Sequence, residues 1–473
     1  MIKWQAGVIG SPISHSLSPQ IFKFIANHLN TSEQLEYQAI EVRTGLANFL
    51  AKIENSTNWV GLNVTIPHKE TVLKFASRWT SEVKATLAAN VLKIDRSREK
   101  PEFEAHNTDV QGILDTLHEQ NLKIRNHTAW LIGAGGAARA AAFALGREGA
   151  SRVYISNPRS PERAEALAKD LGAVLPGTVF TSVAFGLPFA AAPEPIQLVI
   201  QCTPIGQSGI GDPEFYAPLD DFKFAKDALA FEMIYRPERT FFLNRAQALG
   251  LRTVGGLDML ISQALASWEI WFGALSEKIE LKKRLRTHLE NVLAADRPIF
   301  LTGFMGAGKT VVGQILAQKL GWNFLDTDQA IEREAAQTVS EIFRAHGEAF
   351  FRELEKKLIK KAASTQKTVI ALGGGTLLAD ENRTIALTQG RLVYLHAKMD
   401  TLQKRLGEQS TSRPLLQPWV TLSSQTPAQV LITLLSERSP AYDQAELKIE
   451  TDLLTPEEVA NEIAKKIVDK KSP

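Results

Sequence analysis

Short apolar runs alternate with amphipathic stretches along most of this chain, and the period of each stretch predicts its element. Ala6–Ile9, Tyr37–Val42 and Val60–Ile66 are compact apolar segments of strand length, the last stopped by Pro67. Ser18-Pro19 opens a helix to about Leu29, with Ser18 as N-cap and Pro19 at the first helical position. Val91–Ile94 and Phe103–His106 predict a short hairpin, and a helix follows from about Asp109 to His118.

Further on, Ala129–Ile132 is a buried-type strand that breaks at Gly133-Ala-Gly-Gly136 and leads into an Ala-rich helix. Val153–Ser156, Leu198–Gln201, Ala228–Phe231 and Thr253-Val254 are strands, with helices at Pro161–Leu171 and Thr240–Leu249 between them. The alternation implies a largely parallel sheet. Gly256 to about Phe272 is a helix carrying two tryptophans. The charged stretch Ser276–Ala295 is helical in character and ends at Asp296-Arg-Pro298. As a connector it spans about 30 Å if fully helical. Ile299–Leu301 then starts a second α/β domain. There is no internal repeat and no low-complexity segment.

Composition narrows the class. At roughly 100–200 residues per domain, 473 residues predict two to four domains, and 44% hydrophobic residues supply their cores. A net charge of +2 gives no reason to expect nucleic acid or a membrane surface as partner. Cys202 is the single cysteine, so no internal disulfide forms, and it is expected to be a small core residue in a reducing cytosol. The N-terminus lacks a signal-peptide apolar region and no apolar run is long enough to span a bilayer. A soluble cytoplasmic protein is expected, with small-molecule partners and an oligomeric state left open.

Two glycine-rich turns carry chemistry. Gly303-Phe-Met-Gly-Ala-Gly-Lys-Thr310 follows an apolar strand and precedes a helix with Val312, Ile315, Leu316 and Leu320 on one face, ended by Gly321. This is a P-loop. Gly303, Gly306, Ala307 and Gly308 wrap phosphates with backbone N–H groups. Lys309 places a charge at the β- and γ-phosphates, and the Thr310 hydroxyl can ligate Mg²⁺. Asn323–Asp328 then brings two carboxylates to the end of the next strand, beside the P-loop. Upstream, Gly133-Ala-Gly-Gly-Ala-Ala138 fits the dinucleotide pattern, with Gly133, Gly135 and Gly136 at the turn. The second strand ends without the acid an NAD site uses for the ribose. Arg159 and Arg163 stand there instead, which favours the 2′-phosphate of NADP, and Glu162 is expected on the following helix.

Separated motifs in each half then carry family resemblances. In the C-terminal half, Asp326-Thr-Asp328, Phe351-Arg-Glu-Leu-Glu355, Gly373–Gly375, Ser412-Arg-Pro414 and Glu437-Arg438 stand in order after the P-loop. From about Arg297 to Lys470 the chain resembles shikimate kinase. The resemblance implies Asp328 at the ring hydroxyls as proton acceptor and Asp326 holding Mg²⁺ through water. Arg352, Gly374 and Arg438 would bind the substrate carboxylate, Arg413 would close on a lid over the phosphates, and Arg405 would stack on adenine.

In the N-terminal half the motifs are Pro12–Pro19, Asn63–Lys69, Ala89-Asn90, Asn107-Thr-Asp109, Met233-Ile-Tyr235 and Gly255–Gln263. Nearly all of residues 1–272 resembles shikimate dehydrogenase. Lys69 and Asp109 would handle the proton of a ketone reduction. Ser16 and Ser18 would bind the substrate carboxylate. Thr65, Asn90, Tyr235 and Gln263 would bind ring hydroxyls and carboxylate. The chain departs from this family's pattern at Val91, Val110 and Glu232, and by one inserted residue near Pro158.

Together the resemblances imply an α/β protein in four parts. A substrate-binding domain covers 1–108 with 255–272, and a Rossmann NADP domain covers 109–254. A helical connector covers 273–296, and a P-loop kinase domain of parallel α/β type covers 297–473. The implied function is NADPH-dependent reduction of 3-dehydroshikimate to shikimate, then ATP-dependent phosphorylation of shikimate to its 3-phosphate, with NADP(H), ATP and Mg²⁺ as cofactors. The alternatives are a ligand-sensing regulator with one inactive half, and a quinate/shikimate dehydrogenase joined to the kinase. Retention of Lys69, Asp109, Lys309 and Asp328 weighs against the first. The missing acid after the second cofactor strand and the kinase partner weigh against the second.

Overall fold

The computed structural model describes residues 3–14, 16–97, 100–186, 195–207, 215, 219–407 and 427–469. The chain forms two compact units, the first running to Glu290 and the second starting at Asn291. Among the described residues no helix is long and apolar enough to cross a membrane.

The first unit holds two sheets. One contains β1 (Trp4–Gly10), β2 (Leu35–Glu41), β3 (Trp59–Val64), β4 (Ala76–Trp79), β5 (Val91–Asp95) and β6 (Glu102–His106), in the order β2-β1-β3-β5-β6-β4. β1 runs parallel to β2 and β3, but β5 is antiparallel to both β3 and β6. The hairpin is therefore present, and it makes this sheet mixed rather than largely parallel. The β5–β6 connection is too short for the crossover a parallel pair requires. The four-residue β4 carries too little pattern to be read from sequence.

The helix Ser18–His28 corrects one expectation. Its N-cap is Leu17, Ser18 is already helical, and no side chain caps it. Ser16 takes the local role instead: its hydroxyl accepts from the Ser18 N–H at 3.2 Å.

The second sheet is parallel throughout: β7 (Thr128–Ile132), β8 (Arg152–Ser156), β9 (Val179–Ser182), β10 (Ile196–Gln201), β11 (Phe224–Glu232) and β12 (Arg252–Val254), in the order β12-β11-β10-β7-β8-β9. This is the doubly wound dinucleotide-binding order, and strand order reverses between β7 and β10. The crevice beyond their carboxyl ends is where the Gly133 turn lies. Every residue of β7 is buried, because apolar clusters cover both faces of the sheet.

Lys278–Ala295 is a single helix, the element its charged sequence predicts. Up to Glu290 it belongs to the first unit. Leu281, Leu285 and Leu289, one turn apart, are buried there, and Lys282 donates to Ser262 at 2.7 Å.

The second unit is one parallel sheet, β13 (Ile299–Thr302), β14 (Asn323–Asp326), β15 (Thr368–Ala371), β16 (Arg391–His396) and β17 (Leu447–Glu450), in the order β14-β15-β13-β16-β17. The P-loop leaves the central strand and enters the helix Lys309–Leu320, which Gly321 ends in the left-handed conformation. β15 separates β14 from the P-loop strand, so β14 is not its direct neighbour. The carboxylates still reach the loop, as described next.

Candidate active sites

The first site assembles from remote segments. Lys69 follows β3 and Asp109 begins the helix Asp109–Glu119; their Nζ and Oδ2 atoms are 2.5 Å apart. Asp109 is nearly buried and is held from behind: Asn90 Nδ2 donates to its Oδ1 at 2.8 Å, and its own N–H donates to Asn107 Oδ1 at 3.2 Å. Asn90 also donates to Gln263 Oε1 at 3.3 Å and accepts from the Thr108 N–H at 2.7 Å. Lys69, Asp109, Asn90 and Gln263 thus come together. Tyr37, Thr108 and Ser267 extend the network without having been singled out: Tyr37 donates to Asn63 at 2.7 Å, Asn63 donates to Ser267 at 2.9 Å, and Ser267 lies 3.3 Å from the Thr108 hydroxyl. Burial pushes the Tyr37 phenol up, so it remains a neutral donor. Ser267 had a readable signal, since it stands one helical turn after Gln263 on the same helix.

Ser16 donates to Ser18 at 3.1 Å. Thr65 sits at the close of β3, where its methyl would lie 2.4 Å from a Cβ at Gly10. Tyr235 follows β11, and burial pushes its phenol up.

The dinucleotide turn adjoins this cluster. Gly133 has φ +123°, a conformation open to glycine, and Gly135 caps the helix Gly136–Arg147. A Cβ on Gly136 would lie 3.3 Å from Lys69 Cδ, so the lysine stem rests directly on the turn. A turn of this kind at a helix N-terminus fits a pyrophosphate. Arg159 is exposed and pairs with no carboxylate among the described residues, while Arg163 Nη2 donates to Glu70 at 2.8 Å. Glu162 lies in the first turn of the helix Pro161–Val174, as expected.

Three departures from the family pattern lie in the core. Val91 and Val110 are almost fully buried core residues. Glu232 is fully buried and accepts from the Ile234 N–H at 3.0 Å and the Thr240 hydroxyl at 2.9 Å. Burial raises its carboxyl to about 8, against those two donors. Cys202 is half-buried rather than the core residue expected, and burial and Glu232 push its thiol up.

The second site surrounds the P-loop. Gly303, Gly306 and Gly308 all have positive φ, and Ala307 donates to the Phe304 carbonyl at 3.1 Å. Lys309 folds over the loop, with Nζ 2.8 Å from the Gly303 carbonyl and 3.2 Å from that of Phe304. The Thr310 hydroxyl donates to Asp326 Oδ2 at 2.7 Å. Those two hard oxygen donors, at the phosphate end of the loop, suit Mg²⁺. Asp326 is also a helix cap: its Oδ1 accepts from the N–H groups of Asp328 and Gln329. Burial and the neighbouring Asp326 and Glu355 raise the Asp328 carboxyl to about 6, while Lys309 opposes them.

Opposite the loop, the glycines after β15 are packed by side chains the sequence singled out. A Cβ would lie 2.6 Å from Asp328 at Gly373, 3.1 Å from Arg438 at Gly374, and 2.8 Å from Arg352 at Gly375. Tyr442 donates to the Gly374 carbonyl. Arg438 is buried, pairs with no carboxylate among the described residues, and its Nε has no partner. A buried unpaired guanidinium is costly unless an anion completes it.

Arg352 differs: it is engaged by Glu348 at 2.8 Å and by the buried Glu355 at 2.5 Å. A ligand carboxylate there competes with Glu348, the exposed partner. Glu355, three residues after Arg352, also accepts from Thr376 at 2.6 Å. Arg405 Nη2 donates to the Thr451 carbonyl at 2.9 Å. Arg413 lies outside the described residues.

The two centres define one class: a dinucleotide-dependent oxidoreductase unit and a P-loop phosphotransferase unit in one chain. Residues 8–92 match the shikimate dehydrogenase substrate binding domain and residues 305–468 match shikimate kinase. A shikimate kinase of Thermodesulfovibrio yellowstonii is 42% identical over 167 residues, 35% of this chain and 92% of the relative. A shikimate dehydrogenase (NADP(+)) of Caldanaerobacter subterraneus subsp. tengcongensis is 32% identical over 288 residues, 59% of this chain and 95% of the relative. A crystal structure of a shikimate dehydrogenase in complex with NADP⁺ superposes with a TM-score of 0.51 at 28% identity, covering 61% of this chain and 96% of that one. The chain therefore belongs to two families, shikimate dehydrogenase in its N-terminal part and shikimate kinase in its C-terminal part.

Proposed function

We propose that this chain carries out both activities its families name: NADPH-dependent reduction of 3-dehydroshikimate to shikimate, and ATP-dependent phosphorylation of shikimate to shikimate 3-phosphate. One observation carries the reading: Lys69 pairs with Asp109 against the dinucleotide turn, and Lys309, Thr310, Asp326 and Asp328 gather around the P-loop.

In the reduction, NADPH supplies the hydride. Lys69 Nζ is the donor placed to protonate the developing alkoxide, Asp109 keeps it oriented, and a proton from solvent restores the ammonium. Ser16, Ser18, Thr65, Asn90, Tyr235 and Gln263 present hydroxyl, amide and phenol groups that fix a polyhydroxy carboxylate. Arg159 and Arg163 favour a cofactor with a 2′-phosphate. In the transfer, Lys309 and the loop N–H groups would hold the phosphates, and Thr310 with Asp326 would hold Mg²⁺, which would supply charge neutralisation. Asp328 would accept the proton of the acceptor hydroxyl. Arg438, which pairs with no carboxylate among the described residues, takes the substrate carboxylate, with Arg352 beside it.

The test is a one-pot assay with 3-dehydroshikimate, NADPH, ATP and Mg²⁺, following both nucleotides. Lys69→Ala should abolish NADPH oxidation and spare phosphorylation of added shikimate. Lys309→Ala should do the reverse. Loss of both activities in either folded variant would overturn the two-centre reading.

A further inference from the structure

Arg163 is engaged before any cofactor arrives. Its Nη2 lies 2.8 Å from Glu70 Oε1, across 93 residues of sequence. The two ends of this pair belong to different working parts. Arg163 stands in the first turn of the helix Pro161–Val174, where the second cofactor strand hands over to its helix. Glu70 directly follows Lys69, whose stem rests on Gly136. Arg159, on the approach to the same helix, pairs with no carboxylate among the described residues.

A 2′-phosphate is doubly charged and recruits two arginines best. Arg159 is ready for it, and Arg163 must first leave Glu70. Both partners are about half exposed, at 49% and 47% of their side-chain surface, so the exchange is inexpensive. It still has a sign. Glu70 is a carboxylate competing with a phosphate for one guanidinium, and it repels the phosphate if it stays in place. A dinucleotide without the 2′-phosphate never meets this competition.

We propose that Glu70 is a specificity-tuning residue of the dehydrogenase: it holds Arg163 in the free enzyme and yields it to the 2′-phosphate of the phosphorylated dinucleotide. This rests on the reading of Arg163 as a phosphate anchor. The exchange also couples the cofactor helix to the segment carrying Lys69. With the 2′-phosphate bound, that segment loses its tie to Arg163. With the unphosphorylated cofactor it keeps it.

The experiment is a double-mutant cycle on the full chain, with KM and kcat measured for NADPH and for NADH. Glu70→Gln should lower KM for NADPH about two- to fivefold, the range an exposed pair gives. It should leave kcat with NADPH and KM for NADH unchanged, and its effect should fade at high ionic strength. Arg163→Met should raise KM for NADPH, and Glu70→Gln should have no effect in that background. The proposal is overturned if Glu70→Gln leaves KM for NADPH unchanged or raises it. It is equally overturned by the same drop with NADH, or by the same drop in the Arg163→Met background. If Arg163→Met leaves KM for NADPH unchanged, the anchor reading itself fails. If it raises KM while Glu70→Gln does nothing, only the role of Glu70 falls.

Discussion

Replacing Glu232 by Gln tests the electrostatics of the dehydrogenase unit most directly. Glu232 ends β11, is fully buried, and has its carboxyl raised to about 8 by burial. A carboxyl raised above its unfolded value binds its proton more tightly when folded. Its stabilising contribution is therefore complete below the unfolded value near 4.5 and is lost as pH climbs through about 8. Each tenfold gain in proton affinity on folding is worth about 1.4 kcal/mol, so the wild-type chain should lose on the order of 4 kcal/mol from this group between about pH 5 and pH 8.5. Glutamine keeps an acceptor for the Ile234 N–H, turns its amide toward the Thr240 hydroxyl, and does not titrate. The variant should match wild type near pH 5, exceed it progressively from there to about pH 8, and gain nothing further above that. Urea unfolding followed by tryptophan fluorescence is a suitable assay, because six of the eight tryptophans precede Glu290 and report on the first unit. Parallel pH profiles for the two proteins would refute the reasoning, and so would a variant less stable at pH 8.5.

Three further perturbations have expected outcomes. Arg438→Met should raise KM for shikimate by about 30- to 100-fold, the loss of a charge-assisted carboxylate contact, with KM for ATP unchanged. Calorimetry should find its folded stability equal or higher, since a buried charge with no carboxylate partner among the described residues has been removed. Thr310→Ala should raise the Mg²⁺ concentration needed for half-maximal kinase activity roughly tenfold or more, and leave NADPH oxidation untouched, read by metal titration of both activities. Gly136→Ala places a Cβ 3.3 Å from the Lys69 stem, so kcat of the reduction should fall about three- to tenfold while the kinase rate holds.

Much of the site was legible wherever its chemistry is carried by contiguous backbone. Gly303–Thr310 and Gly133–Gly136 are local: the glycines that permit the turns, the strand before and the helix after all lie within a short window. The positive φ values at Gly133, Gly303, Gly306 and Gly308 follow from that window alone. The same holds for Glu162 on its helix and for Gly321 as a helix stop. Ser18 was the local exception. Ser-Pro reads as a cap, yet the N-cap falls one residue earlier, at Leu17, and Ser16 supplies the acceptor for the Ser18 N–H.

By itself, the order of residues determined that this protein has two nucleotide-binding turns, and which charged and hydroxyl groups stand near them. Tertiary structure decided which of those groups meet. Lys69 and Asp109 are 40 residues apart, and Asn90 and Gln263 are 173 apart. No period or spacing states that their side chains touch. Packing also decided that Arg438 is buried with no carboxylate partner among the described residues, and that Arg163 rests on Glu70, whereas the pairing of Arg352 with Glu348 and Glu355 follows from their spacing on one helix. The physical reason is range. Turn chemistry is settled by the φ and ψ of neighbouring residues. The partner of a charge is settled by whichever segments the cores bring within a few ångströms of it, and that depends on the whole fold.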